Sequence, residues 1–150
     1  PTGGLPRRRD SEVFEALRER TAAGDVSVPV IALGPAKEHT ARLTFVTNLL
    51  GVAGIRPDVI EVADESTALD AAQGARVAVV ASSAKGYAAH AEASVASLRS
   101  AGVGRVLVAG RATEVGDTTV DGEVRDGMDV VAFLTDLLDT LGAPQAGAQA

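Results

Sequence analysis

The 150 residues contain no cysteine and no tryptophan, one tyrosine, one methionine and two histidines. Without cysteine the chain has no disulfides, thiolate metal sites or cysteine nucleophiles. Aromatic residues make up 3%, too few to supply the ring platforms on which unpaired bases stack. A net charge of −6 and a pI near 4.8 oppose attraction to a phosphate backbone, so nucleic acid is not an expected partner. No apolar run approaches the roughly 20 residues of a membrane span, and the opening Pro1-Thr2-Gly3-Gly4-Leu5-Pro6-Arg7-Arg8-Arg9 lacks the apolar stretch of a secretory signal. The expectation is a cytoplasmic protein with no membrane partner. Residues 1–9 read as a linker, which suggests a piece cut from a longer chain.

Hydrophobic residues amount to 46%, mostly Ala, Val and Leu. A core of small and branched aliphatic side chains suits buried parallel strands covered by helices on both faces. One domain is expected over residues 10–142, followed by a disordered tail at 143–150.

Asp10 or Ser11 can cap a first helix with Val13, Phe14 and Leu17 on one face and Gly24 at its end. Strands are predicted at 28–33, 59–62, 76–81 and 106–109, with a weak fifth near 119–124. Thr40 is the predicted cap of a helix in which Leu43, Val46 and Leu50 line one side and Phe45, Leu49 and Val52 widen the stripe. A short helix at 66–72, capped by Ser66, and an Ala-rich helix at 87–101 follow. Asp129 leads into a last helix whose apolar face carries Val130, Phe133, Leu134, Leu137, Leu138 and Leu141, ended by Gly142-Ala143-Pro144. Alternating strands and helices imply right-handed crossovers. The predicted architecture is α/β, a flavodoxin-like (Rossmann-type) doubly wound parallel sheet of five strands in the order 2-1-3-4-5. Loops 34–41 and 82–86 would then flank the ligand crevice at the point where the strand order reverses.

Those loops lack several familiar chemistries. Gly34-Pro35-Ala36-Lys37-Glu38-His39-Thr40 has one glycine and no Gly-Lys-Thr ending, so it is not a phosphate-binding loop. It also lacks the hydroxyls of a flavin site and the acidic pair of a phosphorylatable receiver. Ser82 and Ser83 have no Gly-x-Ser-x-Gly elbow around them. Two histidines without cysteine make a poor zinc site, and Asp117, Asp121, Glu123, Asp126 and Asp129 lack the spacing of a calcium loop. His39 reads as a solvated loop residue, His90 as a partly exposed helix residue, and Arg7-Arg8-Arg9 as a solvated basic patch.

From about Arg8 to Leu141, including the entry helix Arg8-Arg9-Asp10-Ser11-Glu12-Val13-Phe14-Glu15-Ala16-Leu17-Arg18, the chain resembles the C-terminal cobalamin-binding-type domain of methylmalonyl-CoA mutase. The resemblance is closer to the small (beta) subunit of the two-subunit bacterial enzyme. Members that bind the cofactor carry Asp-x-His-x-x-Gly after the first strand. The imidazole replaces the lower ligand of cobalt, the carboxylate fixes its tautomer, and the glycine admits the corrinoid tail. Aligned on Gly34, these positions are Ala36, Glu38 and Ala41, with His39 one place out of register. The Ser-x-Leu after the third strand becomes Ser82-Ser83-Ala84, and the paired glycines after the fourth become Ala109-Gly110, followed by Arg111.

The resemblance therefore implies a non-catalytic domain with a vestigial site. No cofactor is bound by this domain, adenosylcobalamin sits in the large partner subunit, and that subunit converts methylmalonyl-CoA to succinyl-CoA in propionate metabolism. Two alternatives stay open: a functional corrinoid module using His39 in a shifted loop, and a regulatory domain binding another small ligand in the altered crevice beside Lys37, Glu38, His39 and Arg111.

Overall fold

Short aliphatic runs assemble a five-stranded parallel sheet in a computed structural model that describes residues 15–22, 26–62, 72 and 74–141. Its strands are Ser27–Leu33 (β1), Arg56–Val62 (β2), Val77–Ala81 (β3), Arg105–Ala109 (β4) and Gly122–Val124 (β5), ordered β2-β1-β3-β4-β5. Helices cover residues 15–22 (α1), Ala36–Val52 (α2), Ala84–Ser100 (α3) and Val130–Leu141 (α4), and a 3-10 turn spans Ala112–Val115. This is the α/β flavodoxin-like topology read from the sequence, with all four strand pairings parallel.

Every residue of β3 is buried, as expected of a strand covered on both faces. Period-2 alternation then divides the core in two. Val28, Val30, Val77, Val79, Leu107 and Val124 face one side, where they meet Leu17 of α1, Val46, Leu49 and Leu50 of α2 and Leu134, Leu137 and Leu138 of α4. Ile31, Leu33, Ala78, Val80, Val106 and Val108 face the other side, under Tyr87, Ala91, Val95 and Leu98 of α3. Arg18 Nη1 donates to the Val52 carbonyl and Thr21 Oγ1 to that of Ala53, so α1 closes over the end of α2. Arg20, itself buried, pairs with Asp139 of α4 at 2.7 Å.

Several boundaries differ from the sequence reading. Thr40 is no cap: α2 begins five residues earlier, Pro35 is its N-cap with no side-chain bond, and Thr40 Oγ1 donates to the Ala36 carbonyl inside the helix. The expected polar turn at 82–86 is shorter because Ser83 caps α3, accepting from the Gly86 amide. β2 begins at Arg56 and contains Pro57, which an edge strand tolerates. Its outer residues Arg56, Asp58, Val59 and Glu61 are exposed. β5 is confined to three residues, since Thr119 and Val120 precede the ladder with β4. Asp10, Ser11, Val13, Phe14, Gly24 and Ser66, the linker with Arg7-Arg8-Arg9, and the tail lie outside the described residues. No helix of the described residues is long and apolar enough to cross a membrane.

Candidate functional site

The strand order reverses between β1 and β3, so the carboxyl ends of β1, β3 and β4 converge on one crevice. The chain turns there through Gly34 at φ 76° and Gly110 at φ 116°, a region that L side chains rarely occupy. Gly34, Ser82 and Gly110 mark the rim.

The positions singled out from the sequence all lie around this rim. Ala36 is the exposed first residue of α2. Glu38, in its first turn, accepts a 2.5 Å hydrogen bond from Ser83 Oγ and so ties the start of α2 to the start of α3. Ser82 is fully buried, its hydroxyl donating to the Leu33 carbonyl at 3.0 Å. Ala84 is exposed at the first position of α3. Ala41 faces a cleft that Ala109 and Gly110 also line.

His39 departs from expectation. It is not a solvated loop residue but a helix residue 3% exposed, with Nδ1 3.1 Å from the Gly34 carbonyl. A carbonyl can only accept, so Nδ1 carries a hydrogen and donates it to Gly34. The early start of α2 carries His39 onto the inner stripe with Arg42, Val46 and Leu49, spaced three and four residues apart. His90 is half-buried, as expected, and packs near Gly34.

Three residues that sequence reasoning passed over occupy the middle of the crevice. Arg42 reaches across it: Nη1 donates to the carbonyls of Ser82 at 3.1 Å and Ala109 at 3.2 Å, and both terminal nitrogens bond the Glu114 carboxylate. Its guanidinium lies 5.9 Å from the centre of the Tyr87 ring, within cation–π range. Tyr87 is 2% exposed and its hydroxyl reaches the carbonyls of Val80 and Ala109. Hydrogen bonding to Glu114 holds Arg42 above its usual pKa although burial acts the other way. Burial pushes the Tyr87 phenol up to about 12. The usable signal was a charged residue inside an apolar helical stripe, which requires a partner on the inside.

Glycine makes this packing possible. A Cβ on Gly110 would stand 2.5 Å from Arg42 Nη1, and one on Gly86 would stand 1.8 Å from Ser82 Oγ. Beside the Arg42–Glu114 pair remains a cleft of about 320 Å³, lined by apolar Ala41, Phe45 and Val124 and by Arg111, Arg125 and Asp126. Chemically the crevice is a neutralised ion pair with arginines at its edge. Among the described residues no group of three His, Asp or Glu side chains is placed to hold a metal.

No protein-family model matches the chain. It is 45% identical over 95% of its length to a methylmalonyl-CoA mutase small subunit of Streptomyces virginiae, covering 24% of that protein. It is 34% identical over 92% of its length to a probable methylmalonyl-CoA mutase small subunit of Mycobacterium tuberculosis, covering 24%. A methylmalonyl-CoA mutase small subunit of Propionibacterium freudenreichii subsp. shermanii is 34% identical over 93% of the chain, which covers 23% of it. The chain thus spans about a quarter of the length of the curated relatives it matches.

Proposed function

We propose that the chain, which belongs to the methylmalonyl-CoA mutase small-subunit family by its 45% identity over 95% of its length, is a non-catalytic domain of such a subunit. It acts in the cytoplasm by packing against a large subunit that holds adenosylcobalamin and carries out the isomerisation. The crevice is a vestigial cofactor site, and the contribution of the domain to the heterodimer is structural.

The observation that carries this reading is the Arg42–Glu114–Tyr87 cluster across the carboxyl ends of β3 and β4. The residues present do not fit a corrinoid. The one imidazole near the register of a lower ligand is 3% exposed and committed through Nδ1 to Gly34, so Nε2 is not presented to a metal outside the fold. Glu38, in the aligned position of that ligand, is a hard anionic donor already hydrogen-bonded to Ser83. Seating a nucleotide tail here would displace Arg42 and leave Glu114 half-buried without its cation.

Titration of the chain with adenosylcobalamin, followed by absorbance, tests the reading. No binding at micromolar cofactor is expected. Tight binding with the spectral change of a replaced lower ligand, abolished by His39→Ala, would establish the functional corrinoid module instead.

A further inference from the structure

We infer that the cleft beside the Arg42–Glu114 pair is a binding site for a small phosphate ester, held by Arg111 and Arg125. The inference does not depend on the proposed subunit role. The cleft has room for about 320 Å³ and lies at the carboxyl ends of β4 and β5, the edge of a parallel sheet at which ligands bind. Three arginines and two carboxylates, Glu114 and Asp126, line it, and a third carboxylate, Glu123, engages Arg125 beside it, which leaves Arg111 as the lining cation without an ion pair among the described residues.

The donors are unequally committed. Arg42 commits both terminal nitrogens, to Ser82, Ala109 and Glu114. Arg125 spends only Nε, on Glu123 at 2.9 Å, and its two terminal amino groups have no acceptor among the described residues. Its backbone N–H meets nothing better than the Met128 thioether, at 3.3 Å. Arg111 is exposed and makes no ion pair among the described residues; its charge acts on Glu123 only through space. Glu123 is itself occupied by the Ala112 amide and Arg125. Two open guanidinium forks, approaching from the ends of different strands, match an acceptor with oxygens in several directions. A phosphate offers that, whereas a planar carboxylate satisfies one fork at a time. Ala41, Phe45 and Val124 give the lining an apolar part, and the cleft exceeds what inorganic phosphate fills. It therefore selects a phosphate attached to an organic body.

Calorimetry at low salt with three probes (inorganic phosphate, adenosine monophosphate and succinate) tests this, with amide NMR shifts to locate the site. Adenosine monophosphate is expected to bind at least about fivefold more tightly than phosphate, and succinate more weakly than either. Shifts should centre on Gly110, Arg111 and Arg125. The Arg111 side chain makes no hydrogen bond or ion pair among the described residues, so Arg111→Ala should keep the fold and weaken binding about tenfold or more, with partial recovery in Arg111→Lys. The variant Lys85→Ala, which removes an exposed cation that does not line the cleft, should bind as the parent does. Absence of binding at millimolar ester, equal binding of succinate, indifference to Arg111→Ala, or loss in Lys85→Ala would each overturn the assignment.

Discussion

Tyr87 is the single tyrosine of a chain without tryptophan, so absorbance near 295 nm follows this one phenol. Burial raises its pKa to about 12, above the roughly 10 of an exposed tyrosine. A neutral acid held more tightly in the native than in the unfolded state stabilises the fold fully below the unfolded value, and that contribution is lost as pH rises towards the native value. The native chain should therefore titrate near pH 12, the urea-unfolded chain near 10, and stability should decline across that interval. Tyr87→Phe should abolish the optical transition and flatten the decline. A native midpoint near 10 would contradict the buried geometry. Glu123 behaves with the opposite sign. The Ala112 amide, followed by Arg125, holds its carboxyl below the usual value, so its contribution is present at neutral pH and disappears in acid.

Gly86 makes an equally local claim. With a Cβ standing 1.8 Å from Ser82 Oγ, Gly86→Ala must push the serine off its bond to Leu33, at a cost of about 1–3 kcal/mol in urea unfolding. Ser82→Gly removes the obstructing side chain. The double variant should thus lose less than the two single losses summed, and strict additivity would rule out the contact.

Among the elements, α2 governs the crevice. Its inner stripe begins with His39 and Arg42 and only then becomes aliphatic with Val46, Leu49 and Leu50, so the first two turns supply polar contacts to the strand ends while the rest packs on the sheet. Arg42→Ala removes the donor to two carbonyls and to Glu114 and should cost about 1–3 kcal/mol. In a double-mutant cycle with Glu114→Ala the coupling should be on the order of 1 kcal/mol or more, since the pair is only partly solvated. By contrast Leu134, fully buried on α4, is an aliphatic anchor whose replacement by alanine should cost about 2–5 kcal/mol.

Element types were legible in the sequence because their cause is periodic. Apolar runs of four to six residues produced β1, β3 and β4, and the stripe on α4 appears as expected. What escaped was non-periodic or long-range. The start of α2 rests on Pro35, whose fixed φ suits entry to a helix without any side-chain cap; a search for capping hydroxyls instead settles on Thr40. The Arg42–Glu114 pair joins residues 72 positions apart, and no local pattern encodes such a meeting. Ala36, Glu38, His39, Ala41, Ser82, Ala84, Ala109 and Gly110 lie where β1, β3 and β4 end, but a motif that names them carries no information on the side chains that fill the space between them.

At the scale of the molecule, two separate aliphatic cores on opposite faces of one sheet make a layered unit to which helices contribute from both sides. If the proposed subunit role holds, coexpression with a methylmalonyl-CoA mutase large subunit should yield a complex that survives gel filtration. Elution as two independent species would remove the support for an assembly role.

The bare side of β2 has a consequence for how the chain meets copies of itself. An open backbone margin invites annealing with any passing extended segment, the beginning of fibrils. Here such a segment would encounter the exposed Arg56, Asp58, Val59 and Glu61 and, between the first two, Pro57. Bringing two identical margins together would crowd carboxylates and deny a rung at the proline. Replacing Asp58 and Glu61 by valine should turn that guarded border into an adhesive one, visible as a rise in thioflavin fluorescence on prolonged incubation.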